Sequence, residues 1–97
     1  MPPLARLLFV VTGTFEVRGV ICIEPLVPFA LLEREQLKKG DKLELRKPDK
    51  SVTQTTVHGL EWVVPSKGAL CLTLPPPLRK NDAPPGTEIW KVQPDTN

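Results

Sequence analysis

The sequence predicts a small all-β protein, and three observations lead to that prediction. The chain has 97 residues, so residues 1–97 are expected to form a single domain. Twelve prolines and six glycines are too many for a helical bundle, whereas 40% hydrophobic residues are too many for a disordered chain. Several segments also alternate between apolar and polar residues, which is the pattern of half-buried strands.

Six segments have the composition of β-strands, because they are rich in apolar or β-branched residues and are separated by turn residues. They cover residues 7–12, 15–24, 42–47, 52–64, 69–74 and 87–92. The first of them is so apolar that it is expected to be a buried strand. An open sheet of this size would expose aggregation-prone edges, so the strands are expected to close into a barrel over residues 5–92. The polar tail, residues 93–97, is expected to be frayed.

Alternation within these segments assigns the core. Leu43 and Leu45 are expected to point inward from one strand, and Leu70 and Leu72 from another. In the segment 15–24, alternation places Phe15, Val17, Ile21 and Ile23 on one face, opposite Val20, Cys22 and the charged residues. Gly19 lies in the middle of this segment, where a glycine indicates a bulge or a sharp bend. The predicted core is therefore aliphatic.

Three segments are expected to depart from regular strands. His58 and Gly59 interrupt the segment 52–64 and indicate a second bulge. Residues 29–37 have loosely helical spacing and predict at most a short helical turn. Three prolines at 75–77 cannot join a ladder, so they begin an extended connection that continues as a charged loop over 78–86.

Composition argues against several classes of function. A formal net charge of +2 is small, whereas dedicated nucleic-acid binders carry a clear basic excess. The chain has neither a CxxC pair nor a Cys/His cluster, so we expect no metal site and no cofactor. The apolar run at residues 7–11 is too short for a signal sequence or a membrane span. We therefore expect a cytoplasmic protein without a membrane partner.

The two cysteines are expected to be structural. Alternation places Cys22 and Cys71 on the outward faces of their strands. We expect both cysteines to be reduced and unlinked. Exposed free thiols are readily oxidised, so we also expect a loop to shield at least one of them, either the proline-rich loop or the segment 25–37. A single long-range disulfide between them is the alternative.

The inventory of side chains predicts that the protein is not an enzyme. His58 is the only histidine, and Ser51 and Ser66, the only serines, both lie in predicted turns. A Cys/His pair would have to combine His58 with Cys22 or Cys71, and no spacing in the sequence supports that pairing. We therefore expect no catalytic residue, and a partly exposed His58 at a bulge.

Five short motifs in a fixed order resemble domain 2 of the elongation factor Tu class of translational GTPases. The resemblance covers residues 7–92. The motifs are Arg18-Gly19-Val20, LKKGDKLEL at 37–45, VHGLEW at 57–62, LCLTL at 70–74 and PGTEIW at 85–90. It implies a closed six-stranded Greek-key barrel. The chain contains no G-x-x-x-x-G-K-[ST] phosphate loop, so no nucleotide is expected to bind.

The resemblance also implies a candidate site. Arg18 and Glu61 match the positions that line the pocket for the aminoacylated 3′ end of tRNA in elongation factor Tu. An arginine can pair with phosphate or stack on a base, and a glutamate can accept hydrogen bonds from ribose or amine groups. The alternative is an ordinary ion pair between neighbouring strands. Trp62 and His58 complete the candidate binding residues, although core or rim packing is the alternative for Trp62.

Together these observations predict a non-enzymatic binding module. The expected partner is an unidentified protein, in a protein–protein or structural accessory role. The alternative is binding of RNA, or of a tRNA end, through the barrel face that carries Arg18 and Glu61.

Overall fold

A computed structural model describes residues 4–63 and 68–93. The described strands are β1 (Ala5–Val10), β2 (Gly13–Val17), β3 (Val20–Pro28), β4 (Lys42–Arg46), β5 (Val52–Thr56), β6 (Gly59–Glu61), β7 (Ala69–Leu74) and β8 (Glu88–Val92). The helix α1 (Phe29–Glu35) follows β3, and a single 3₁₀ turn (Lys80–Asp82) precedes β8. The turn predicted around residue 66 and the tail from 94 onward lie outside the described residues.

The strands form two antiparallel four-stranded sheets. The order is β1-β8-β4-β5 in the first sheet and β2-β3-β7-β6 in the second. The prediction of a mostly β protein is therefore confirmed. Within residues 4–63 and 68–93, no closed barrel is detected. The segment 29–37, which was expected to form at most a short helical turn, contains the seven-residue helix α1.

The chain passes from the first sheet to the second between β1 and β2. The Val11 amide donates a hydrogen bond of 2.8 Å to the Thr87 carbonyl, just before β8. The next amide, of Thr12, donates one of 2.8 Å to the carbonyl of Glu24 in β3. The backbone therefore keeps its hydrogen bonds while it changes sheets.

A second corner lies between β5 and β6. The Val57 amide donates to the Asp41 carbonyl beside β4, and the His58 amide donates to the Thr73 carbonyl in β7, both at 2.9 Å. The segment predicted as one long strand with a bulge at His58 and Gly59 is thus bent into two strands, one in each sheet. His58 is exposed at this bend.

The prediction of one strand over 15–24 is wrong, because the segment is a hairpin and Gly19 lies in its turn rather than at a bulge or bend within a single strand. Arg18 and Gly19 have φ of 52° and 80°, and Val17 lies opposite Val20. Two positive φ values in succession form the tight turn that suits antiparallel strands, and glycine adopts this region without strain. Because the turn takes up two residues, the residues before it lie on the opposite face from the one that a continuous strand would give them. Consequently Phe15 lies on the face opposite to the one predicted.

The core contains residues from both sheets and from α1. Leu43, Leu45 and Leu72 are fully buried, as predicted, whereas Leu70 is only half-buried. Their buried neighbours form one contiguous cluster. The cluster consists of Leu8, Val11, Ile21, Ile23, Val27, Leu31, Leu37, Leu43, Leu45, Val57, Leu72, Leu74, Ala83 and Ile89.

The first strand is less buried than its composition predicted. β1 lies at an edge of the first sheet, and Leu7 is 45% exposed. Its neighbour Leu8 is buried, so the strand presents one face to the core and one to solvent. Among the described residues, no helix has the length and apolar character that crossing a membrane requires.

Candidate functional site

The outer face of the second sheet carries an open cavity of about 590 Å³, which we call the groove. The inner face of this sheet is occupied by core residues such as Ile21, Ile23 and Leu72. Alternation sends the intervening side chains outward, and all four strands contribute to the lining. The lining residues are Phe15, Val17, Arg18, Val20, Cys22, His58, Glu61, Trp62, Val63, Cys71 and Thr73.

The floor of the groove follows one row across the sheet. Phe15 is paired with Cys22, Cys22 with Thr73, and Thr73 with Gly59. The Thr73 hydroxyl donates to the Gly59 carbonyl at 3.1 Å, so its polar atom is satisfied within the sheet. A Cβ at Gly59 would lie 3.3 Å from that hydroxyl oxygen. The absence of a side chain at Gly59 therefore leaves room for the threonine at the β6 end of the floor.

Cys22 and Cys71 lie in this floor, and neither forms a disulfide. Both are buried, although they are on the outward face, as alternation predicted. The Cys71 thiol donates to the Ile23 carbonyl at 3.6 Å. The proline-rich loop and the segment 25–37, expected as covers, do not line the groove. The segment after β6, with Trp62 and Val63, and the β2–β3 hairpin line it instead.

Burial makes both thiols weaker acids than a free cysteine. Desolvation raises the pKa of Cys71 to about 12, and the neighbouring Cys22 adds to the effect. Desolvation also raises the pKa of Cys22, and the negative charge of Glu61 acts in the same direction. The thiolate is the nucleophile and the metal ligand, so these cysteines are in their inert form near neutral pH.

Because the pKa of each thiol is raised, we expect both cysteines to react slowly with thiol reagents. In the native protein at about pH 8, we expect Cys71 to react with a soluble disulfide reagent at least about 100-fold more slowly than a free cysteine, because its thiolate fraction is very small. In denaturant both thiols should react rapidly. A thiol titration of the purified monomer checks this. Fast reaction of both thiols in the native state, or no free thiol after unfolding, would contradict the structure.

The four binding residues predicted from the sequence all border the groove. Arg18 lies at the tip of the β2–β3 hairpin, His58 at the β5–β6 corner and Glu61 at the end of β6. Within the described residues, Arg18 and Glu61 form no ion pair, so the alternative interpretation of a cross-strand pair is wrong. The structure thus leaves their charges open to solvent.

Trp62 is the most exposed large hydrophobic side chain of the groove. It is 70% exposed, and its ring meets Phe29 edge-on, with ring centroids 5.5 Å apart and an interplanar angle of 89°. Packing in the core, one of the alternatives expected for this residue, is therefore wrong, and its ring contact is with Phe29 at the start of α1. An indole held by one aromatic neighbour and otherwise open to solvent is available to a partner.

The apolar members of the groove were not predicted from the sequence. A continuous strand over 15–24 places Phe15 and Val17 on the same face as Ile21, opposite Val20 and Cys22. One signal in the sequence could have indicated their position. Arg18-Gly19 lies between two alternating apolar segments, and a glycine at this place permits a two-residue hairpin turn. With that turn, the side chains of Phe15, Val17 and Val20 fall on the outward face.

A second cavity of about 460 Å³ adjoins the groove. His58 and Glu61 line both cavities, and Lys38 and Lys39 flank the second one. The Lys38 ammonium lies 3.2 Å from Asp41, whereas Lys39 is exposed and forms no ion pair with any described residue. The two cavities therefore form one surface that is apolar at one end and basic at the other.

The arrangement is chemically suited to binding. His58 lines the same cavity as the two thiols, but no hydrogen bond joins it to either of them in the described part of the chain. Nucleophilic catalysis by cysteine needs a base in contact with a thiol of lowered pKa, and here the pKa of both thiols is raised. No group of three or more metal-ligating side chains occurs among residues 4–63 and 68–93.

Comparisons of this chain with protein-family models, with curated proteins and with solved structures find no match.

Proposed function

We propose that this protein is a binding module and that its groove holds an apolar segment of a partner protein. The observation that carries the proposal is an open cavity lined mainly by apolar side chains. Val17 and Trp62 are 48% and 70% exposed there, although both are apolar. Contiguous exposed apolar residues with a few polar groups at the margin are typical of interaction sites, and tryptophan is enriched where binding energy concentrates.

As part of the same proposal, we infer that the module folds as a flattened six-stranded barrel of the translation-factor domain 2 kind. The two corners support it, because β1 continues into β2 and β5 into β6 with the backbone hydrogen bonds kept. When each corner pair counts as one bent strand, the eight strands reduce to six. The order of the five sequence motifs supports it as well. Such a likeness concerns architecture, and the partner follows from the groove itself.

Selection from a random peptide library tests the proposal. Wild-type protein should enrich peptides that share one or two large apolar residues. Val17→Glu should weaken their binding at least about tenfold, because it introduces a charge into the apolar contact. Val52→Glu is the matched control. Val52 is also an exposed valine in an edge strand, at 52% exposure, but β5 belongs to the other sheet.

Two results would contradict this function. One is a selection that enriches no apolar consensus. The other is equal loss of binding in Val17→Glu and Val52→Glu, because the peptides would then bind elsewhere or both variants would be damaged. Denaturant melts of the two variants separate these causes, since exposed substitutions are expected to change stability by no more than about 0.5 kcal/mol.

The alternative function is binding of an RNA end in the same groove. It is favoured by one observation, the exposed Arg18 and Trp62 at one cavity, because a guanidinium and an indole ring can both stack on an unpaired base. A salt titration with a short single-stranded RNA discriminates the two functions. Affinity for RNA must fall steeply as salt rises, whereas the apolar peptide contact should change little.

A further inference from the structure

We infer that the partner segment carries acidic residues next to its apolar anchor, with the anchor in the groove and the carboxylates over Lys38 and Lys39. This inference rests on the proposed function, because it assigns the chemistry of the segment that the groove binds. It is carried by the second cavity, whose Lys38 and Lys39 were not among the binding residues predicted from the sequence.

The two cavities are contiguous. His58 and Glu61 line both of them, so a ligand that fills the groove reaches the second cavity by passing these two side chains. An extended peptide advances by about 3.3 Å per residue. A short segment therefore contacts both cavities through residues close together in its own sequence, the anchor first and its flanking residues next.

The charges along this surface are mostly positive. Arg18, Lys38 and Lys39 line the two cavities, and Glu61 is the one carboxylate among the described lining residues. Arg18 and Lys39 form no ion pair with any described residue, and Lys38 shares Asp41 with Lys91. The lining side chains consequently carry a net positive charge next to an apolar cavity, which complements an acidic segment.

The two ends have different energetic roles. Burial of an anchor side chain supplies most of the affinity, because the gain in free energy grows with the apolar surface removed from water. Exposed lysine–carboxylate pairs add little stability in water. They increase the association rate and exclude partners of the opposite charge pattern, so their effect should be clearest at low salt. The acidic residues thus define which apolar segments bind.

Three synthetic fluorescein-labelled peptides test the inference on the full chain by fluorescence polarisation. Each has a central Leu-Phe pair, flanked on both sides by Glu, by Gln or by Lys. At low salt the Glu peptide should bind about tenfold more tightly than the Gln peptide, and the Lys peptide should bind most weakly. The preference should decline as salt rises.

Two double variants locate the effect. K38Q/K39Q should remove the preference for Glu and leave the affinity for the Gln peptide unchanged. K50Q/K80Q is the matched control, because it lowers the net charge equally at exposed lysines that line neither cavity. It should keep most of the preference. V17E should weaken the binding of every peptide that the wild type binds.

Each other outcome has a definite meaning. If the Gln peptide binds as tightly as the Glu peptide and V17E weakens both, the inference is wrong and the proposed function stands. If no peptide binds, the proposed function fails with it. If the Glu preference is equal in K38Q/K39Q and K50Q/K80Q, it reflects net charge alone and the inference is wrong. A last outcome is that a uridine oligonucleotide binds more tightly than the Glu peptide, in a salt-sensitive way that K38Q/K39Q abolishes. That result would show that the ligand of this surface is RNA and that the inference is wrong.

Discussion

Replacement of Leu72 by alanine is expected to lower the free energy of unfolding by about 2–5 kcal/mol. Leu72 is fully buried in β7, where its register partners are Ile23 in β3 and Leu60 in β6. Its side chain therefore belongs to the inner face of the second sheet, directly behind the groove. Removal leaves a cavity among strands that cannot collapse independently. Denaturant unfolding with an unchanged m value measures the loss.

Leu7→Ala is the matched control for this prediction. Leu7 is also a leucine in a strand, but it is 45% exposed at an edge of the first sheet. We expect its replacement to cost no more than about 0.5 kcal/mol, as at most exposed positions. A loss of less than about 0.5 kcal/mol for Leu72→Ala would mean that the inner and outer faces of β7 are assigned the wrong way round, and the groove would then be misplaced.

Replacement of Lys91 by methionine is expected to cost about 1–3 kcal/mol. Lys91 lies in β8 with a side chain only 12% exposed, and its ammonium lies 3.5 Å from Asp41. The same ammonium donates to the carbonyls of Glu35 and Gln36, at the carboxyl end of α1. A cation at this end of a helix satisfies carbonyls that have no partner within the helix. Methionine keeps the apolar stem and removes these contacts.

Lys42→Met provides the comparison, because Lys42 is exposed on β4 and forms no ion pair with any described residue. Its replacement should leave stability within about 0.5 kcal/mol of the wild type. Similar losses in the two variants would show that Lys91 stabilises the protein only through net charge. A thermal melt of each variant at the same pH is sufficient, provided that unfolding is two-state.

The sequence predicted the parts of the fold that depend on local alternation. Leu43 and Leu45 alternate with charged neighbours, and both are buried where the pattern placed them. Breaker residues likewise delimited most of the strands. Alternation failed at Gly19, because it reports a residue's face only relative to its neighbours in the same strand. A turn of two residues resets that relation, and the resulting shift concealed Phe15 from the predicted site.

The candidate site was predicted in part, through side chains whose chemistry is visible in the sequence. Arg18, His58, Glu61 and Trp62 were selected for charge, aromaticity or resemblance, and all of them border the groove. The exposure of Trp62 and the lack of an Arg18–Glu61 ion pair were not predictable, because both depend on which strands lie side by side. The same is true of β1, whose apolar composition does not reveal that it lies at a sheet edge.

The sequence by itself determined a mostly β protein with an aliphatic core, since proline, glycine and alternation act within a few residues of chain. Only the tertiary structure decided that there is a groove and which residues line it. The row from Phe15 through Cys22 and Thr73 to Gly59 crosses four strands, and its members are brought together by backbone pairing between segments far apart in sequence. The register of these strands is fixed by the inner face of the sheet, where Ile21, Ile23 and Leu72 are buried in the core.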